Sequence, residues 1–359
     1  MSDPRVEKEV SSLTSYGFDV VVLAWDREGK LKRFESGGNQ RVFRFHLIAP
    51  YRAFTVILYY PIFWFWILIK LLELKPEVVH ACDLDTVFPS LLYRFFVRNV
   101  KVVFDVFDTF TLLIKAKNDF FARIVRPIEL RVASMSDVVV TVSEARLDFF
   151  SCVPLKQTRI IMNCPPLRFF STDVSESAER EKVFRVVYAG AIAPYRGLLQ
   201  IAEAVDSLDG VEFVVAGRIL DDKLAAKLCA FSCVKYVGQL SFDDSLELEM
   251  SADVIPVLYD QKLPINRVAA PNKLYEAMLV GVPVITNLSC FLDDVPFGLQ
   301  VGYDVSEIRC AIVYLQKHPE VSANFGREGR LAFEQKYNWS VMEKSLIDLY
   351  SQLLCCSKA

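Results

Sequence analysis

Short apolar runs alternate with helix-period segments along almost the whole chain. Phe18–Ala24, Val42–Leu47, Glu77–His80, Val102–Asp105, Val138–Val142 and Arg159–Met162 are brief and rich in Val, Ile and Phe. Helical patterns fall between most of them, which predicts βαβ units and parallel sheets covered on both faces. A polar stretch, Ser171–Lys182, breaks the rhythm and reads as a linker. The pattern then restarts with Arg185–Tyr188, Phe213–Ala216, Lys235–Val237, Val254–Val257 and Val284–Thr286. The expected architecture is α/β, with two doubly wound, Rossmann-like domains facing a cleft. Open sheets of this kind bind ligands at the carboxyl ends of their strands.

The chain opens on a helical pattern. Ser2 or Asp3 is a suitable cap, Pro4 suits the first turn, and Arg5 to Ser15 continues the helix. A doubly wound domain usually opens with a strand ahead of this helix. The expectation is a first sheet short of its opening strand, or a true start further upstream.

From Ala53 to Ile69 no residue is charged, with Arg52 before the segment and Lys70 after it. A spanning helix normally needs about 20 apolar residues. Pro61 interrupts this run, and spanning would put two strands of one sheet on opposite sides of a bilayer. The segment is expected to pack partly on the sheet and to lie partly in a lipid interface. Tyr59, Phe63, Trp64 and Trp66 are its expected membrane contacts.

Composition narrows the function classes. At 359 residues the chain suits two domains. A net charge of -3 offers no basic excess for nucleic acid. The nine cysteines show no zinc spacing and no disulfide framework, which fits reduced thiols in a cytosolic compartment. Three histidines are too few for a multi-histidine metal site, and no signal peptide opens the sequence.

The candidate chemistry concentrates in Pro271–Ile285. It reads as a turn, a helix over Asn272–Val280, a stop at Gly281 and a buried strand. A helix start with free N–H groups binds phosphate, and Lys273 adds positive charge there. Glu276, one turn on, is suited to accept hydrogen bonds from sugar hydroxyls. An ordinary helix with a surface Lys–Glu pair is the plainer alternative. Gly190 to Gly197 follows a strand and holds Arg196, while Ala216-Gly217-Arg218 repeats the theme. In the first half, His80-Ala-Cys-Asp-Leu-Asp85 ends a strand. Asp83 and Asp85 have the form of a metal-binding DxD, and Asp85 also suits an N-cap. Asp105 and Asp108 fall near the next strand tip, where acid–base groups or helix caps both belong.

Together these landmarks resemble the retaining, family 4-like glycosyltransferases of the GT-B fold. The blocks that carry the resemblance are Gly17–Arg27, Pro76–Asp85, Ser136–Glu144, Tyr188–Gly190 with Arg196-Gly197, Val237-Gly238 with Ala252-Asp253, and Pro271–Pro283. It implies an acceptor-side domain over residues 1–170 and a nucleotide-sugar domain over residues 183–336. A helix over residues 337–359 would cross back to the first domain. Glu276 would hold the ribose, and Arg196 and Lys273 the diphosphate, with backbone at Leu274 and Tyr275. Gly190 and Arg218 would lie beside the donor, and Gly238 would help to line the base. The acceptor side would supply Asp83 and Asp108 as catalytic carboxylates. No cofactor and no metal are implied. The partners would be a nucleotide sugar, a lipid-linked or glycan acceptor and the cytoplasmic face of a membrane. Three positions depart from the family pattern: Val268 replaces a second glutamate, Phe107 a histidine, and Ala191 a basic residue. A degenerate, non-catalytic sugar-nucleotide-binding or partner protein of the same fold therefore stands as the alternative.

Overall fold

The computed structural model describes residues 3–50, 54–168, 183–288 and 292–355; the expected linker at Ser171–Lys182 and Arg52 lie outside them. The chain divides into two compact units. One is Met1–Asn163 with Met342–Ala359, and the other is Cys164–Val341.

The first unit begins with α1 (Pro4–Ser15). The Asp3 side chain caps it, accepting from the Arg5 N–H at 2.8 Å. β1 (Val20–Asp26), β2 (Phe34–Gly37) and β3 (Gln40–His46) form one sheet in the order β1-β3-β2. β1 runs parallel to β3, while β2 returns antiparallel to it. Next come α2 (Tyr60–Leu74), β4 (Val78–Cys82), α3 (Leu84–Phe96), β5 (Lys101–Val106), α4 (Phe110–Lys115) and α5 (Asp119–Met135). β6 (Val138–Thr141), α6 (Glu144–Leu147) and β7 (Thr158–Ile160) complete the series. β4 to β7 form a parallel sheet in chain order. No pairing among the described strands joins β1 to β4, and both stay half-buried over most of their length. β5, paired on both sides, buries Val102, Val103, Phe104 and Val106 completely. Their partners in the core include Val139, Val132 and Phe150.

The charge-free segment folds as a 3₁₀ turn over Phe54–Leu58, followed by α2. Pro61 stands in the first turn of α2 and so does not interrupt it. At a helix start its missing N–H leaves no hydrogen bond unmade. Of the expected lipid contacts, Phe63 needs correcting. Phe63 is core, clustered with Ile67, Leu71, Tyr93 and Val100. The Trp64 indole donates to the Asp85 carbonyl at 2.6 Å, and Trp66 packs on Phe45. Tyr59, Trp64 and Trp66 are half-buried, and the outward face carries Ile62, Phe65, Ile69 and Leu72. No helix among the described residues is long and apolar enough to cross a membrane.

The second unit holds β8 (Phe184–Ala189), α7 (Leu198–Asp206), β9 (Val211–Ala216), α8 (Asp222–Leu228), β10 (Val234–Tyr236) and α9 (Phe242–Met250). β11 (Ile255–Val257), α10 (Asn272–Val280), β12 (Val284–Thr286), β13 (Gly298–Gln300), α11 (Val305–Lys317) and α12 (Pro319–Gln335) follow. The strands lie as β10-β9-β8 and β11-β12-β13, all parallel. A parallel bridge, Val186↔Val254, connects the two halves. The strand order therefore reverses between β8 and β11, the switch point where such sheets bind ligands. α7 and α11 cover this sheet through Ile201, Val205, Ile308 and Ile312. The last helix, α13 (Trp339–Cys355), belongs to the first unit from Met342 onward. There its Tyr350 ring stacks on His80.

Candidate functional site

The carboxyl ends of β8 and β11 gather most of the donor-side residues expected from the sequence. α10 starts at Asn272 behind Pro271, and no side chain caps it, so its first N–H groups have no intrahelical partner. It ends at Gly281, whose φ of 69° suits a residue without a Cβ. Leu274 and Tyr275 turn their side chains wholly into the core, which leaves only their backbone for a ligand. Burial pushes the Tyr188 hydroxyl up, and that side chain lies within electrostatic reach of Arg196, Lys273 and Glu276.

Lys273 is placed differently from the expectation. Its ammonium bonds Glu249 Oε1 at 2.7 Å and also Glu276 Oε2. Glu249 comes from α9, is fully buried, and has no recognisable sequence motif around it. Burial raises its carboxyl to about 7, against the pull of Lys273. The two carboxylates hold the Lys273 pKa above its usual value. Two carboxylates against one ammonium leave no surplus positive charge here, so Lys273 mainly orients Glu276.

Arg196 stands outside this ion-pair cluster. It ends a short 3₁₀ turn, Pro194–Arg196, and its guanidinium stacks on the Tyr259 ring at 4.2 Å. Its Nε is buried with no hydrogen-bond partner. No carboxylate pairs with it among the described residues, so its charge remains for an anion. Arg218, after β9, is exposed.

Glycines bring three strand ends together. Gly190 N–H donates to Ala216 O at 2.8 Å, and Gly217 N–H to Gly238 O at 2.8 Å. Gly217 has φ +131°, and a Cβ there would stand 1.9 Å from Gly190 O. Gly217→Ala is therefore expected to destabilise the protein by about 1–3 kcal/mol. An unchanged melting temperature would show that the loops part freely.

A cavity of ≈ 590 Å³ opens beyond β11, β12 and β13, lined in part by Gln261, Asn287, Gln300 and Tyr303. Glu276, Lys273 and Arg196 do not line it. A Cβ on Gly197, next to Arg196, would touch Tyr303, so the two regions adjoin.

In the first unit, Asp83 is the N-cap position of α3 and takes φ 63°, a strained value for a non-glycine residue. Asp85 is therefore inside the first turn and is not the cap. Asp83 Oδ1 accepts from the Phe107 and Asp108 N–H groups at 2.9 and 3.3 Å. Burial raises the Asp83 carboxyl to about 8. Asp108 is half-exposed and pairs with Arg146 at 3.0 Å. Asp83 thus positions the Asp108 loop. Glu129, which the sequence did not single out, accepts from Phe110 and Thr111 N–H and anchors the start of α4.

Asp105 is locked away from any substrate. It is fully buried, and Arg5 grips it with Nε and Nη2 at 2.9–3.1 Å. Arg5 also bonds the Ile161 carbonyl and pairs with Glu9 at 3.0 Å. His80 lies 3.2 Å from Asp105 and 2.8 Å from the Tyr350 hydroxyl. Glu9, His80 and Asp105 have metal-ligand spacing. The cation among them is the Arg5 guanidinium, so the cluster is read as an ion-pair network.

Residues 6–164 match the family model described as Glycosyltransferase Family 4. No curated protein matches the sequence. Among solved structures, sucrose-phosphate synthase from Thermosynechococcus elongatus superposes with a TM-score of 0.80 at 17% identity, over 98% of this chain and 93% of that one. The α,α-trehalose-phosphate synthase (UDP-forming) of Burkholderia vietnamiensis gives 0.70 at 12%, over 95% and 97%. HepE of Anabaena, in complex with UDP and glucose, gives 0.67 at 15%, over 92% and 99%. Over nearly its whole length the chain shares the fold of these solved structures, and its residues 6–164 match the Glycosyltransferase Family 4 model.

Proposed function

We propose that this chain moves a sugar from a nucleoside-diphosphate sugar to a lipid-linked or polysaccharide acceptor at a membrane surface. The observation that carries the reading is the uncompensated Arg196 guanidinium near the switch point, close to the open start of α10 and to Glu276. Arg196 and the helix N-terminus supply positive potential where the diphosphate leaves, which favours transfer without a metal ion. Glu276, held by Lys273, accepts the ribose hydroxyls. Gly238 borders the base. In the first unit, Asp108 is the reactive carboxylate and Asp83 sets its loop. Retention of anomeric configuration follows the family resemblance. HepE is in complex with UDP and the Burkholderia trehalose-phosphate synthase is UDP-forming, so UDP-sugars are the first donors to test.

Titration calorimetry with UDP-glucose and related donors tests the site. Glu276→Ala is expected to weaken binding by about 1.5–3 kcal/mol. Arg196→Ala is expected to weaken the diphosphate sugar more than the bare nucleoside. Equal losses for both ligands would show that Arg196 does not touch phosphate, and unchanged affinity in Glu276→Ala would refute the ribose assignment. A second reading, donor binding without transfer, is favoured by the capture of Lys273 between two carboxylates. Tight binding with no release of nucleoside diphosphate in the presence of lipid extract would select it.

A further inference from the structure

β4, β5 and β6 succeed one another in one direction across a parallel sheet. The right-handed crossovers between them therefore place α3 and α5 on one face. α2 packs beside α3, and α3 beside α5, so the three helices form one layer. The inner sides of this layer are ordinary core, through Phe63, Leu91 and Val132.

Its outer side carries exposed apolar residues in all three helices. α2 shows Ile62 and Phe65, the latter 65% exposed. α3 ends on Phe95 and Phe96, 79% and 61% exposed. α5 begins on Phe120 and Phe121 and continues with Ile124 and Ile128, all exposed. Soluble surfaces rarely carry an apolar patch of this breadth without a partner.

The charge around the patch identifies that partner. The whole chain is acidic, at -3. Between Phe110 and Met135 there are five basic residues and only two acidic ones, and one of these, Glu129, is buried. Lys115, Lys117, Arg126 and Arg131 are exposed, as is Arg98 just past α3. A second copy of the chain would set these like charges against each other. An anionic bilayer matches both the aromatic face and the basic residues.

We propose that the outer face of α2, α3 and α5 together docks on an anionic lipid surface, with the two phenylalanine pairs inserted at the interface. The proposal deepens the membrane-surface reading above and rests on it for its biological use. It moves the main contact from the half-buried aromatics of α2 to Phe95, Phe96, Phe120 and Phe121.

The test is co-sedimentation of the full chain with two kinds of vesicle: phosphatidylcholine alone, and an equal mixture of phosphatidylcholine and phosphatidylglycerol. Binding is expected to the mixed vesicles and to weaken with added salt. Phe120→Ser with Phe121→Ser, and separately Phe95→Ser with Phe96→Ser, is expected to reduce binding at least about tenfold. Lys115→Glu with Lys117→Glu is expected to abolish the preference for the anionic mixture. All three variants keep the wild-type melting temperature and donor affinity, because these side chains lie on the surface and outside the donor site. Vesicle binding that persists in a chain unable to bind any donor supports the docking face while refuting the donor reading. The proposal is overturned if the wild type does not sediment with mixed vesicles, or if the phenylalanine variants bind as well as the wild type. It is also overturned if the face holds a lipid-free dimer that those variants dissolve.

Discussion

Arg5→Ala is expected to destabilise the first unit by about 3–5 kcal/mol, because it strips the guanidinium from two buried carboxylates. Asp105 is fully buried and Glu9 nearly so, and neither has another full cation beside it. His80 reaches both and takes up part of the charge once protonated. Arg5→Lys is expected to restore little, since the planar fork serves Asp105 and the Ile161 carbonyl together. Urea unfolding followed by tryptophan fluorescence reads this well, because Trp25, Trp64 and Trp66 all lie in that unit. A loss below about 1 kcal/mol, the range of an exposed pair, would show that the network is open to water.

Lys273→Ala is expected to be as damaging to the second unit, about 3–5 kcal/mol, and to weaken donor binding as well. It leaves Glu249 and Glu276 buried, close together and alone. Adding Glu249→Leu to Lys273→Ala is expected to recover much of the stability, because it removes the deeper of the two stranded charges. If the double variant is no more stable than the single one, Lys273 acts through packing alone. The cluster also carries a pH signature. The Glu249 carboxyl is raised from 4.5 to about 7 in the folded protein, so the fold binds its proton more tightly than the unfolded chain does. Its stabilising contribution is full below about pH 4.5 and is lost as the pH rises through 7. Glu9, also raised to about 7, acts the same way in the first unit. Wild-type stability is therefore expected to fall between pH 5 and pH 8, and Glu249→Gln is expected to flatten the part that belongs to the second unit.

Several elements were legible because their signal is local. The β-branched runs at Val102–Phe104, Val138–Val140 and Val284–Thr286 all became strands, since such residues fit a doubly covered sheet. The helix over Asn272–Val280 and its stop at Gly281 were legible from a turn, a periodic run and a glycine. β2 escaped notice because Phe34–Gly37 is short and exposed throughout, and β13 because Gly298–Gln300 is only three residues long. The segment before Lys70 gave no hint of which side is buried. It is apolar all round, so only packing against Tyr93 and Val100 turned Phe63 inward and left Phe65 outside.

By itself the sequence determined the α/β rhythm, the turn–helix–glycine unit at Asn272–Gly281 and the charge-free helix. Each is encoded within one or two turns of chain, where side-chain period and backbone propensity act directly. The tertiary structure decided which charges meet. Arg5 finds Asp105 across 100 residues, and Lys273 finds Glu249 across 24. Those partnerships depend on strand order and helix placement, which no local pattern specifies. They decide which charges remain for chemistry: Asp105 and Lys273 are neutralised in place, while Arg196 keeps its charge because no carboxylate among the described residues reaches it.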